Sequence, residues 1–506
     1  MKKLKIGWSE IDITPDKRAS LIGQFAERIS EYVEKPITAT ALAIEADGEQ
    51  MIMVSVDVNG VSYNLVEAVR QQLSGNPYGI EPMKTIYAAI HTHTAPTFPR
   101  PNSTAKLGMF MSYRSLLERE LPPDKQYVEQ VKTTDDSEVI TPDEYFNLLV
   151  DRLTKVTIDA WNNRSEGSYS NAFGRAAVGM CRRAVYSDGS AKMWGDTHTA
   201  VFEELEGGSD TGLELLYMFD NNKKLTGVVA NVACPAQCVQ HRHFISPDYW
   251  GEVKVLLRER FGENIYVLGL CSIAGDQCPV DLIRWVEPES DLNDPNIFRN
   301  NPPKRKADPS MFDISGMKKT GRRIAREIID LYEDGLDEAK NEAIFEHRVS
   351  IFQLPVRRVT PSDVSYAKNV IKEYISNKEG DVDYNDVGNL TGPLGDLMRA
   401  EVQERMDTLD TEVHIIRLGN VAFATNPLEP FIKYGNQIKG RSNAEQTFLV
   451  QLANGIEGYV PTQKAEQGGH YSGFAASGIL GHIGGEQLVR ETVKNINIMF
   501  EKDDLQ

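Results

Sequence analysis

Apolar positions along this chain follow two different periods. Four apolar runs, at 51–56, 85–90, 227–233 and 265–270, are short and lack polar alternation. Such runs predict strands buried on both faces. Each stops abruptly: the first runs into Asp57 and Asn59-Gly60, the second into His91, the third into Cys234-Pro235, the fourth into Gly275-Asp276-Gln277-Cys278-Pro279. Between them the period lengthens to that of a helix. Thr141-Pro142-Asp143-Glu144 predicts a capping box with proline at the first helical position, and Phe146, Leu149, Val150, Leu153 and Val156 continue as a stripe toward Trp161. Similar patterns predict helices over 317–332 and 361–375. Two apolar runs, 413–418 and 421–424, flank Gly419-Asn420, a hairpin signal. Two stretches, about 99–138 and 284–309, carry no period, and loops of that length are as readily active-site lids as solvated surface. The expectation is an α/β fold: mixed sheets flanked by helices in a single large catalytic domain with long loop insertions.

Composition narrows the partners. At 41% hydrophobic and 25% charged residues, the 506-residue chain has the make-up of a soluble globular protein. A net charge of −18 argues against nucleic acid and anionic membrane and leaves a small molecule as the expected partner. No run reaches the ~18 apolar residues of a membrane span, and no apolar segment of a secretory signal follows Lys2 and Lys3. The five cysteines, Cys181, Cys234, Cys238, Cys271 and Cys278, are odd in number and too sparse for a disulfide scaffold, so reduced thiols and a cytoplasmic setting are expected. Oligomeric state is not legible.

The chemistry concentrates at strand ends. His91 and His93 sit one residue apart where a strand meets a Pro96-containing loop, and neutral imidazole is the commonest nitrogen ligand of zinc. The plain alternative is two polar residues opening a loop. Five motifs in order tip the balance. They are 6–15 (Ile6 to Pro15), His91-Thr92-His93-Thr94-Ala95-Pro96, Gly275-Asp276-Gln277-Cys278-Pro279, Asn426-Pro427-Leu428-Glu429, and 454–462 (Asn454 to Thr462) followed by Tyr471. Together they resemble the neutral, non-lysosomal ceramidase family over nearly the whole chain.

The resemblance implies one zinc ion that activates water for attack on an amide carbonyl. By that resemblance His91, Glu429 and Tyr459 are metal ligands, and His93 contacts the reacting oxygen or the water. Tyr471 stabilises the oxyanion and Arg182 contacts substrate. Asp276 and Cys278 lie in a turn facing the pocket. Taken singly, Glu429 is also readable as a loop carboxylate, Tyr459 as a strand aromatic and Tyr471 as surface packing. The presumed ligands run from residue 91 to 459, so one integrated domain spanning 1–506 is expected. Its N-terminal part covers about 1–345, and a C-terminal part, about 346–506, completes the metal site.

Three departures from the family matter. Where its second zinc histidine is expected, fourteen residues before Asp248, this chain has Cys234. A thiolate can ligate zinc, so Cys234 is expected as the fourth ligand; it could instead be a nucleophile, or His241 or His243 could supply the missing imidazole. Cys278 replaces the family's serine, as an inert small residue or a second reactive thiol. The chain also stops about 35 residues past Tyr471, without the family's further β-rich domain, which disfavours a membrane lipid as substrate. The function expected is therefore a zinc-dependent hydrolase of a small polar substrate, cleaving an amide C–N bond. The alternatives are a cysteine-assisted hydrolase of a carbohydrate or acyl substrate, and a non-catalytic metal- or ligand-binding homologue.

Overall fold

A computed structural model describes residues 2–24, 27–100, 113–128, 137–284 and 312–501. The large sheet is built from β1 (Lys2–Asp12), β2 (Thr38–Ala46), β3 (Glu49–Val56), β4 (Thr85–Ala89), β5 (Ser165–Arg175), β6 (Gly212–Asp220), β7 (Leu225–Val232) and β8 (Tyr266–Cys271). Their order is β8-β7-β6-β5-β1-β2-β3-β4. Neighbours are antiparallel except at the two ends, where β3 runs parallel to β4 and β7 to β8. A parallel neighbour needs a crossover. Helix α1 (Tyr63–Leu73) makes the first crossover. The helices that follow are α2 (Tyr113–Glu120), α3 (Pro142–Asn162) and α4 (Tyr249–Phe261), and α4 makes the second crossover.

A second sheet of β9 (Phe345–Pro355), β10 (Thr408–Leu418), β11 (Val421–Thr425) and β12 (Gln446–Val450) packs on the first. Strand β2 shows why the layers form. Ala39, Ala41 and Ala43 join the cluster that contains Leu149 and Leu153 of α3, whereas Leu42 and Ile44 join Ile416, Phe423 and Phe448 of the second sheet. The alanines let a helix lie close on one face; the larger side chains fill the space between sheets, each contributing ~2 kcal/mol on full burial. Helices α4 and α5 (Asp313–Asp330) cover β6 and β7. Further on, α6 (Pro361–Asn377) and α7 (Thr391–Gln403) pack with α2, while α8 (Ile432–Arg441) and α9 (His482–Phe500) cover the outer face of the second sheet. The layers are thus helix, sheet, sheet, helix, and strands buried on both faces follow from them.

The large sheet curls. Ser55 Oγ on β3 donates to Gly269 O on β8 at 2.6 Å, and Ala236 N, just after β7, donates to Ile90 O, just after β4, at 3.3 Å. Strand ends at opposite extremes of the strand order therefore meet. The capping box at Thr141 forms, with Glu144 N donating to Thr141 Oγ1 at 3.2 Å, and the Gly419-Asn420 turn joins β10 to β11. The aperiodic stretch 99–138 contains α2, whose Leu116 and Leu117 are buried, so it is not wholly loop. Residues 101–112, 129–136 and 285–311, on which the two lid readings rest, lie outside the described residues. Among the described residues no helix is long and apolar enough to cross a membrane.

Candidate active site

His91 follows β4 with φ of 65°. The left-handed region costs a non-glycine residue ~1–2 kcal/mol. The turn is held by His91 N donating to Val58 O at 3.1 Å. The His91 ring is oriented by the neighbouring strand end: Nδ1 lies 2.6 Å from Asn59 O. If Nδ1 carries the proton, as that carbonyl requires, Nε2 presents a lone pair. That atom is 3.5 Å from Glu429 Oε2 and 3.4 Å from His93 Nε2. Burial lowers the pKa of His91 and lowers that of His93 further, so both rings are neutral at pH 7.

His93 is fixed from two sides. Gln237 Nε2 sits 2.8 Å from its Nε2, and its carbonyl accepts from Arg28 Nη2 at 2.6 Å. Gly23, at φ of 97°, lies against the ring; a Cβ there would come within 2.4 Å of His93 Cγ, so only glycine fits. Glu429 and Tyr459 are brought together by backbone pairing, the short strands Glu429–Pro430 and Tyr459–Val460 running parallel with Glu429 opposite Tyr459. Gly275 passes so close that a Cβ would fall 2.2 Å from Glu429 O, which explains the glycine that opens Gly275-Asp276-Gln277-Cys278-Pro279.

The facing wall is aromatic and cationic. The rings of Tyr459 and Tyr471 meet edge to face with centroids 5.5 Å apart. The Arg182 guanidinium is 5.4 Å from the Tyr459 centroid, and its Nη2 donates to Gly275 O at 2.8 Å. Burial, reinforced by the Glu429 carboxylate, pushes the Tyr459 hydroxyl well up; burial also pushes Tyr471 up. Arg183, the next residue after Arg182, does a different job. Fully buried against Glu206, it donates to Tyr471 O at 2.7 Å and Gly469 O at 2.8 Å, and so clamps the Tyr471 loop.

Of the expected residues, the structure brings together His91, His93, Glu429, Tyr459, Tyr471 and Arg182. Three others make the following contacts. Cys234 is fully buried, with Sγ 3.3 Å from Val178 O and 3.5 Å from Pro235 O. Burial pushes its thiol well up. Cys278 packs with Val280, Leu282 and Phe312, its Sγ 3.4 Å from Val280 O, and burial raises its pKa to about 12. Asp276 anchors backbone: Oδ1 accepts from Ile432 N, the first residue of α8, at 2.8 Å, and its carbonyl accepts from Arg182 N at 2.9 Å. Burial raises its carboxyl to about 6. The substitute imidazoles are engaged elsewhere or exposed: His241 stacks on Phe312 at 4.9 Å beside Asp313, and His243 is exposed.

Sequence reading missed Gln237, Asn59 and Arg100. Arg100 Nη1 donates to Asn59 Oδ1 at 2.7 Å, one residue removed from His91. Position was the available signal: Asn59 and Gln237 both lie just past strand ends. Among the described residues, no group of three or more His, Cys, Asp or Glu side chains is placed to hold a metal ion.

No family model matches the chain, and no curated protein does. Solved structures do match. The neutral ceramidase from Pseudomonas aeruginosa superposes with a TM-score of 0.62 at 15% identity, over 99% of this chain and 75% of that one. A ceramidase complexed with C2 superposes with a TM-score of 0.64 at 13% identity, over 99% of this chain and 76% of that one. Identity this low speaks for the fold alone: the protein has a divergent neutral-ceramidase-like fold.

Proposed function

We propose that the protein is a metal-assisted hydrolase that cleaves an amide C–N bond in a small polar substrate. One observation carries the reading most: His91 Nε2 lies 3.4 Å from His93 Nε2 and 3.5 Å from Glu429 Oε2 in a buried site walled by Arg182, Tyr459 and Tyr471. The donor chemistry suits zinc. A histidine whose other nitrogen is tied to a backbone carbonyl is oriented as a ligand, and carboxylate and phenol oxygens complete such sets. His91, Glu429 and Tyr459 would hold the ion. Cys234, with its sulfur turned to Val178 O, stands outside that set. When bound, zinc acidifies a water and polarises a carbonyl.

The chain's own groups divide the remaining work. His93, neutral and steadied by Gln237, moves a proton between the attacking water and the leaving nitrogen. Tyr471 donates to the carbonyl oxygen as charge develops there, and Arg182 adds a fixed positive charge beside it. Cysteine chemistry is disfavoured, because burial raises both the Cys234 and Cys278 thiols and leaves little thiolate at neutral pH. The test is a panel of small N-acyl amines incubated with purified protein, with and without chelator, following amine release. Release that chelator abolishes and zinc restores is the expected result. No release from any member, or release indifferent to chelator, contradicts the reading.

A further inference from the structure

Two arginines and one carboxylate, Glu429, border the candidate site. Arg182 and Arg100 both lie within electrostatic reach of His91 and His93, and Glu429 is the carboxylate that acts on Arg100. Asp57, close in sequence to Asn59, is already paired: Lys254 Nζ lies 3.0 Å from its Oδ2. Asp276 is occupied by Ile432 N and Gln277.

Among the described residues, neither guanidinium is saturated by hydrogen bonds. Arg182 is 4% exposed, hydrogen-bonds Gly275 O through Nη2 and also the Tyr459 side chain, and has a buried Nε with no hydrogen-bond partner among the described residues. Arg100 is anchored through Nη1 to Asn59 Oδ1, and its guanidinium carbon stands 5.9 Å from the Phe98 ring centroid. Gly60 and Ile456 lie beside it; a Cβ on Gly60 would be 3.9 Å from Arg100 Nη1 and 2.3 Å from Ile456 Cδ1. Burial lowers the Arg100 pKa to about 10 against the opposing pull of Glu429. Guanidinium groups held in this way are stabilised when an anion with paired oxygens meets their planar edge.

We infer that the substrate carries a carboxylate, and that Arg100 binds it and so selects an N-acylated amino acid or a similar acidic amide. The inference rests on the hydrolase reading only for the word substrate; the recognition itself is a binding property. Asn59 links the two tasks. Its carbonyl orients His91 and its side-chain oxygen holds Arg100, so an anion on Arg100 is placed a fixed distance from the reacting centre. A neutral ester or amide of the same molecule would forgo the charge-assisted pair with Arg100, a loss that serves discrimination.

The experiment is calorimetric titration of the full chain with a panel of N-acetyl amino acids and their methyl esters. At least one acid should bind tenfold or more tightly than its ester, the scale of one charge-assisted pair. In Arg100→Gln that ratio should fall below threefold, and Arg100→Lys should keep an intermediate ratio, since it retains charge without the fork. Equal binding of acids and esters by the wild type overturns the inference, as does absence of binding by every member, or a preference that survives Arg100→Gln. The wild-type ratio needs no variant to fold. Amine release is followed in the same samples: acid-selective binding without release would remove the hydrolase reading and leave the anion site standing, whereas release without acid preference would do the reverse.

Discussion

Two buried histidine pairs in this molecule look alike and are built for opposite ends. His91 and His93 have ring centroids 4.9 Å apart; His347 on β9 and His414 on β10 have theirs 5.1 Å apart. Each pair has a carboxylate, Glu429 in the first and Glu412 in the second. In the second pair contact is direct throughout. His347 Nε2 meets His414 Nδ1 at 2.8 Å, His414 Nε2 meets Glu412 at 2.8 Å, and His347 Nδ1 meets Gln50 O at 2.9 Å. Arg70 clamps Glu412 through both oxygens, at 2.9 and 2.8 Å, and Asn454 closes the ring on Glu412 and on Thr85 O. Arg70 and His414 hold the Glu412 carboxyl far below the usual range in spite of burial. A network satisfied like this fixes a fold. In the first pair the Nε2 atoms face each other and Glu429 across 3.4–3.5 Å, and His93 Nδ1 is buried with no hydrogen-bond partner among the described residues. Longer spacing and unfinished bonding are what a site needs in order to accept something else.

If the contrast is right, removing members of the two sets fails in different currencies. His91→Ala and Glu429→Ala should lower turnover by about 10³-fold or more while the unfolding free energy from urea titration stays within ~1 kcal/mol of wild type, because both belong to the reacting centre. Glu412→Ala should do the reverse. Breaking a buried charged network costs about 3 kcal/mol, so the urea midpoint should drop clearly, with turnover per folded molecule within threefold of wild type. A loss of turnover at unchanged stability would place Glu412 in the chemistry. His93→Ala and Tyr471→Phe should each cost about 10²-fold in turnover, the scale of one proton-transfer or oxyanion group, with metal content retained. If either loses its metal, that side chain is a ligand.

A smaller effect sharpens the same comparison through pH. His470, next to Tyr471, is half-buried with Nδ1 3.1 Å from Met193 N; burial, helped by Arg183 and Lys192, takes its pKa down to about 4. Between pH ~4 and ~6.5 the unfolded chain therefore binds the proton that the folded chain refuses, and stability rises with pH across that window. Wild type should gain on the order of 1–2 kcal/mol from pH 4.5 to 7 relative to His470→Asn, discounted for partial exposure. Equal slopes for the two proteins would rule the histidine out as the cause. Smallest of all, Cys234→Ala should cost ~1 kcal/mol of stability through lost packing and leave turnover within a few-fold. A collapse in activity or metal content would return Cys234 to the ligand set.

The layers were legible because burial on both faces imprints a continuous apolar run, as in β4 and β7, and a helix capped at Thr141 announces itself. The residues that meet in the candidate site were legible where they sit on a single motif, as with His91 and His93, or are carried by a resemblance, as with Glu429, Tyr459 and Tyr471. It was not legible where side-chain direction decides. Cys234 stands at the expected strand end, yet its sulfur turns to Val178 O, while Gln237, three residues on, reaches His93. No spacing rule separates those outcomes, since both depend on the Cys234-Pro235 turn and on curling that brings Ile90 to Ala236. Asp276 and Cys278 show the same limit: a turn that lies beside the site points its carboxylate at the α8 backbone and its thiol into an apolar cluster. Arg100 lay in a stretch without periodicity, where pattern carries no information.

The most direct measurement is elemental analysis of wild type, His91→Ala and His414→Ala, each purified without chelator and loaded with zinc under one protocol. The account predicts about one zinc per chain in wild type, about one in His414→Ala, and none in His91→Ala. Zinc retained by His91→Ala, or no metal in a wild type that hydrolyses amides, would contradict it.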